Sequence, residues 1–87
     1  MTYTWRIPNI GASNTPINQD TINNTLAMAR SLEPGADQNN RDEKEQIKQL
    51  ITEADGKNRA HKYQEARQKM RAACTLLQNW TAAGVRN

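Results

Sequence analysis

The sequence predicts an all-α protein: a small three-helix bundle, or a helical hairpin plus one helix, preceded by an extended N-terminal arm. Three observations carry that expectation. Apolar residues recur at helical spacing in three blocks, beginning at Ile22, Ile47 and Tyr63. Breakers separate the blocks, with Pro34-Gly35 after the first and a polar run around Gly56 after the second. Only the first ten residues, MTYTWRIPNI, alternate with a period of two, so that Tyr3, Trp5 and Ile7 share one face of an extended segment. The expected organisation is therefore arm and coil over residues 1–18 and a helical domain over residues 19–87.

The arm is strand-like as far as Ile7. Pro8 removes a backbone donor and ends any paired strand there. No later stretch alternates in the same way, so a strand at this position has to pair outside its own chain. Residues 11–18, GASNTPIN, carry the Gly, Ser, Asn and Pro of turn and coil.

The first helix is expected to begin between Thr15 and Asn18. Thr15 as cap would place Pro16 in the first helical position. Asn18 as cap would place Asp20 in the first turn, where the helix dipole favours an acid. Ile22, Leu26, Ala29 and Leu32 then form its apolar face, with Met28 on the flank, and Pro34-Gly35 stops it. After the loop GADQNN, Asn40 followed by Glu43 reads as a capping box for the second helix. Ile47, Leu50, Ile51 and Ala54 supply that helix with an i, i+3, i+4, i+7 face. Its charged residues, from Arg41 to Glu53, form a solvated side.

In the third helix, Tyr63, Ala66, Met70, Ala73, Leu77 and Trp80 make a seam of alternating three- and four-residue steps, widened by Cys74 and Leu76. The Ile47 and Tyr63 faces are sixteen residues apart, roughly 160° out of phase along one continuous helix at about 100° per residue. A single rod would need a different partner on each side. A hairpin turning within residues 55–61 points both faces inward, and is the favoured arrangement. The expected core is Ile22, Leu26, Ala29, Leu32, Ile47, Leu50, Ile51, Ala54, Tyr63, Ala66, Met70, Ala73, Leu77 and Trp80.

Part of this hairpin resembles a tetratricopeptide unit. Tyr63, Ala66, Met70 and Ala73 are similar to its second helix, and Leu50 and Ala54 fall near the apolar and small positions of its first. His61 stands where the family has its turn glycine. The resemblance covers about a third of the chain and implies a helical hairpin; one repeat does not make a peptide-binding superhelix.

At 87 residues and 36% hydrophobic content, without Phe, the chain has a small core that is marginal alone. Cys74 is the only cysteine, which excludes an internal disulfide and a cysteine-based metal cluster. A single thiol suits a reducing compartment. Neither a signal peptide nor a membrane-spanning run is read from the sequence, so the expected location is cytoplasmic or within a virus particle. The expectation is of no cofactor, no metal and no membrane partner.

Charge is unevenly spread. Residues 1–56 carry five Lys/Arg against eight acids, a net −3, whereas residues 57–87 carry seven against Glu65 alone, a net +6. Such asymmetry marks either an anionic partner or two surfaces that meet across a contact. Lys57, Arg59, Lys62, Arg67, Lys69 and Arg71 form the candidate anion-binding set. No nucleic-acid-binding motif accompanies them, and Tyr63 and Trp80 lie on the apolar seam rather than among the basic residues.

Nothing in the chain reads as catalytic machinery. His61, the single histidine, is thirteen residues from Cys74, roughly 20 Å along one helix, too far for a Cys–His pair. Glu43, Glu45 and Glu53 sit among Lys and Arg on an exposed face. The expected function is a non-catalytic structural or assembly subunit of a larger complex. It would bind neighbouring chains, including copies of itself, through Tyr3, Trp5, Arg6, Ile7 and Ile10, the residue types that dominate interface energy. A virus or phage particle component, of capsid or tail, is the specific form suggested by a helical body with an arm. The competing reading of the arm is that it folds back and caps the chain's own small core. Two alternative functions stand beside the first: a small basic nucleic-acid-binding or regulatory protein, with nucleic acid not favoured, and a small inhibitor or adaptor on a single partner protein.

Overall fold

The computed structural model describes residues 6–11 and 15–82, the side chain of Ala82 excepted. They form three helices and, among the described residues, no strand: α1 (Gln19–Arg30), α2 (Gln38–Arg59) and α3 (Tyr63–Ala82). α2 and α3 make an antiparallel hairpin, and α1 packs on α2. The all-α expectation holds, as does the hairpin over the continuous rod.

α1 starts at the second of the two expected caps. The Asn18 side chain accepts a hydrogen bond from the Asp20 amide at 2.8 Å, with Asp20 in the first turn. The helix ends at Arg30, before Pro34, where Ser31 donates its hydroxyl to the Met28 carbonyl. Leu32 lies just beyond the helix and is still buried.

α2 is longer than expected at both ends. Its cap is Asp37, which accepts from the Asn39 and Asn40 amides at 2.8 and 3.4 Å; the expected box starting at Asn40 lies inside the helix. At the other end, Asp55, Gly56, Lys57, Asn58 and Arg59 are helical rather than part of the turn. Two backbone bonds close the helix at its C-terminal end: Lys62 N–H to Lys57 O at 2.9 Å and His61 N–H to Asn58 O at 3.1 Å. This is a Schellman motif, which needs a left-handed residue at its centre. His61 supplies it, with φ of 65°. The hairpin turn is therefore confined to residues 60–62 and is made without the usual glycine. Lys62 O then accepts from the Ala66 amide at 2.9 Å to start α3.

The expected core assembles. Ile22, Ala29, Leu32, Ile47, Ile51, Ala54, Ala66, Met70, Ala73, Leu77 and Trp80 are buried, and Leu26 and Leu50 pack against them half-buried. Tyr63 is half-buried, its hydroxyl hydrogen-bonded to His61 Nδ1 at 3.0 Å. Three residues beyond that set complete the core: Cys74, and from the lead-in to α1, Ile10 and Ile17, at 8% and 2% exposure. Each such apolar side chain removed from water contributes about 1.5–3 kcal/mol. The stretch expected to be coil ahead of the body is thus partly inside it.

Candidate functional site

Two side chains fasten the lead-in segment to the hairpin. Asn58, near the end of α2, faces the backbone of Ile17: its Oδ1 accepts from Ile17 N–H at 2.9 Å and its Nδ2 donates to Ile17 O at 3.1 Å. A carboxamide satisfies both backbone groups of one residue because it presents the same donor and acceptor pair as a peptide. Arg67, on α3, reaches the segment a few residues earlier. Its Nε donates to Gly11 O at 3.1 Å, its Nη2 to Thr15 Oγ1 at 2.9 Å and its Nη1 to Tyr63 O at 3.3 Å. Gly11 makes that approach possible. Its φ is +82°, and a Cβ there would stand 3.2 Å from Arg67 Nη2. Asn9 Oδ1 accepts from Gly11 N–H at 2.9 Å and turns the chain into this position.

Upstream, residues 6–11 run between α1 and α3. Arg6 and Pro8 line a small cleft of about 130 Å³ with Thr21, Asn24 and Thr25 of α1. Ile7, Pro8, Asn9, Ile10 and Gly11 line a groove of about 330 Å³ with Arg71 and Thr75 of α3. Of the five arm residues expected to meet a partner, Ile10 faces the core, so its assignment to an outward surface is corrected. Ile7 and Arg6 are exposed, Ile7 at 42%, the one exposed large apolar side chain among the described residues. Tyr3 and Trp5 lie outside the described residues.

The six basic candidates do not form one surface. Lys69 pairs with Glu53 at 3.2 Å and Lys57 with Glu65 at 3.3 Å, both across the hairpin; Arg59 pairs with Asp55 at 3.2 Å along α2. Part of the charge asymmetry is therefore met inside the chain. The Lys69 ammonium, hydrogen-bonded to Glu53, holds that carboxyl below its ordinary value, with the Gln49 amide helping. Arg67 is 4% exposed and turned to the lead-in backbone, which corrects its expected place on a solvated basic face. Lys62 and Arg71 remain, exposed and, among the described residues, without an ion pair.

Other chemistry is equally constrained. Cys74 is fully buried, and burial pushes its thiol up to about 11, which keeps it protonated and poorly nucleophilic at neutral pH. His61 is exposed on the hairpin turn. Among the described residues no group of His, Cys, Asp and Glu is placed to hold a metal ion, and no helix is long and apolar enough to cross a membrane.

Compared with protein families, curated proteins and solved structures, the chain matches none of them. The tetratricopeptide resemblance carries no argument beyond the hairpin.

Residue spacing did hold a signal for Arg67. Tyr63, Ala66, Arg67 and Met70 stand at i, i+3, i+4 and i+7, which puts Arg67 on the buried face of α3. Asn58 had none, because a side chain that grips backbone forty-one residues away leaves no local pattern.

Proposed function

We propose that this protein is a non-catalytic interaction subunit that engages another protein chain through the segment upstream of Pro8. The observation that carries the reading is the anchoring of the lead-in. Asn58 holds Ile17 and Arg67 holds Gly11 and Thr15 on the hairpin, and Ile10 is held in the core. In the sequence, Tyr3-Thr4-Trp5 directly precede Arg6 and Ile7, the exposed start of this anchored lead-in. Exposed Ile7 stands at the root of that stretch, beside a groove between the arm and α3. A side chain already positioned on the body, as Ile7 is, loses less conformational freedom on binding than one on a loose tail. Trp and Tyr flanking an Arg are the residue types that concentrate interface energy. The assembly role, as part of a larger complex of protein subunits, is our reading of this anchored, outward-leading segment. A place in a virus or phage particle rests on the architectural analogy alone.

The test is the native mass of the protein, and of a version lacking residues 1–7, by light scattering. The cut leaves Ile10 and Ile17 in place, so the body keeps its core. An assembly that dissociates on losing residues 1–7, with helicity unchanged, supports the reading. A monomer whose mass and partner capture are the same with and without them refutes it.

A further inference from the structure

We propose that Arg67 and Arg71 form a binding site for a tetrahedral dianion of the phosphate-monoester class. The site lies in the groove of about 240 Å³ that they line with Gln64 and Gln68 on α3.

Arg67 is the first observation. It is a buried residue, 4% exposed, whose guanidinium has three hydrogen-bond partners, two backbone carbonyls and a hydroxyl. All three partners are neutral. Among the described residues no carboxylate pairs with it. A buried cation without a counter-charge is costly, and proteins normally supply an anion. Three of its five N–H donors are occupied, which leaves one on each Nη.

Arg71 is the second. It lies one turn further along α3, lines the same groove, is exposed and makes no ion pair among the described residues. Like charges at i, i+4 repel in an isolated helix. Among the described residues no acid forms an ion pair with either guanidinium, and Glu65, the single acid of α3, is engaged by Lys57. The groove is completed by two side-chain amides, Gln64 and Gln68, which offer donors without adding charge.

Two unit cations and amide donors around one small concavity match a single doubly charged oxyanion. A phosphate monoester or inorganic phosphate neutralises both guanidinium groups and accepts several charge-assisted hydrogen bonds. A phosphodiester carries one charge and leaves one guanidinium unbalanced. The site uses two of the six basic residues and does not depend on the upstream arm, so it stands or falls separately from the assembly role.

The test is titration of the full chain with inorganic phosphate, O-phosphoserine and dimethyl phosphate at constant ionic strength. It is followed by calorimetry and by the Arg67 Nε–H resonance. The expected result is saturable binding of inorganic phosphate and phosphoserine that shifts the Arg67 resonance. Dimethyl phosphate should bind at least tenfold more weakly, Arg71→Gln should lose at least tenfold in affinity, and Lys62→Gln should be unchanged. Arg71 and Lys62 are exposed, so both variants keep the fold. Equal binding of the diester, equal losses in the two variants, or an Arg67 resonance that does not move would each overturn the proposal.

Discussion

Replacing Asn58 by Ala tests how the lead-in is held. The side chain makes two hydrogen bonds to Ile17, a residue 2% exposed, so the substitution strips partners from one donor and one acceptor of a buried peptide. Hydrogen bonds of this kind are worth about 1 kcal/mol each, and a buried group left unsatisfied costs about 1–3 kcal/mol. Against this, Ala is the better helix former by about 0.6 kcal/mol at a position inside α2. The net loss should be about 2 kcal/mol. For a domain of this size that lowers the midpoint of thermal unfolding by about 8–16 °C. Urea unfolding followed by helical circular dichroism measures it. Asn79→Ala, at an exposed position in α3, serves as the propensity control and should gain slightly. If Asn58→Ala changes stability by less than the control does, the paired bonds to Ile17 do not hold the segment and the anchoring argument fails.

Three further outcomes follow from the same geometry. His61→Gly should raise stability by about 0.5–1 kcal/mol, because the left-handed position costs His about 1–2 kcal/mol, less what its Tyr63 contact returns; an unchanged urea midpoint would contradict it. Ile10→Ala should cost about 2–4 kcal/mol of stability, as a core truncation, whereas Ile7→Ala should leave stability within about 0.5 kcal/mol and weaken any partner contact; equal effects of the two in urea unfolding would misplace the point where the arm leaves the body. For Cys74, the thiol is raised from 9.0 to about 11, so the unfolded chain ionises it first. The stability tied to the protonated thiol is complete below pH 9.0 and is lost as pH rises to about 11. The advantage of the native protein over Cys74→Ala should shrink across that window in urea titrations, and an advantage that stays constant would contradict it.

Much of the fold was legible because helix packing writes a period into the chain. The sixteen-residue offset between the Ile47 and Tyr63 faces was enough to favour a turn over a continuous rod, and the structure has one. Its position was misplaced because Gly56 and Asn58 look like turn residues locally. Packing carries α2 past them, and Asn58 is used for its amide rather than for a bend. The cap at Asp37 was missed for a similar reason: Asn40 also fits a cap, and local chemistry alone does not choose between them. Ile10 and Ile17 sit among Gly, Pro and Asn, with no period to announce their burial. The candidate site was legible as a list of basic residues but not as an arrangement. Which of them meet Glu53, Asp55 or Glu65, and which turn inward, depends on the register of the hairpin.

The anchoring also imposes an order in time. The contacts that build the hairpin join residues close in sequence, whereas Asn58 and Arg67 grip residues forty-one and fifty-six positions earlier. Local contacts close quickly, and distant ones wait for the loop between them to be drawn in. During synthesis the arm emerges before the hairpin and has nothing to dock on until Arg67 has been added. Throughout that interval Tyr3, Trp5, Ile7, Ile10 and Ile17 are exposed together on an unattached tail. A partner that binds this tail early would meet five large apolar side chains, whereas one that arrives after folding finds Ile10 and Ile17 already buried.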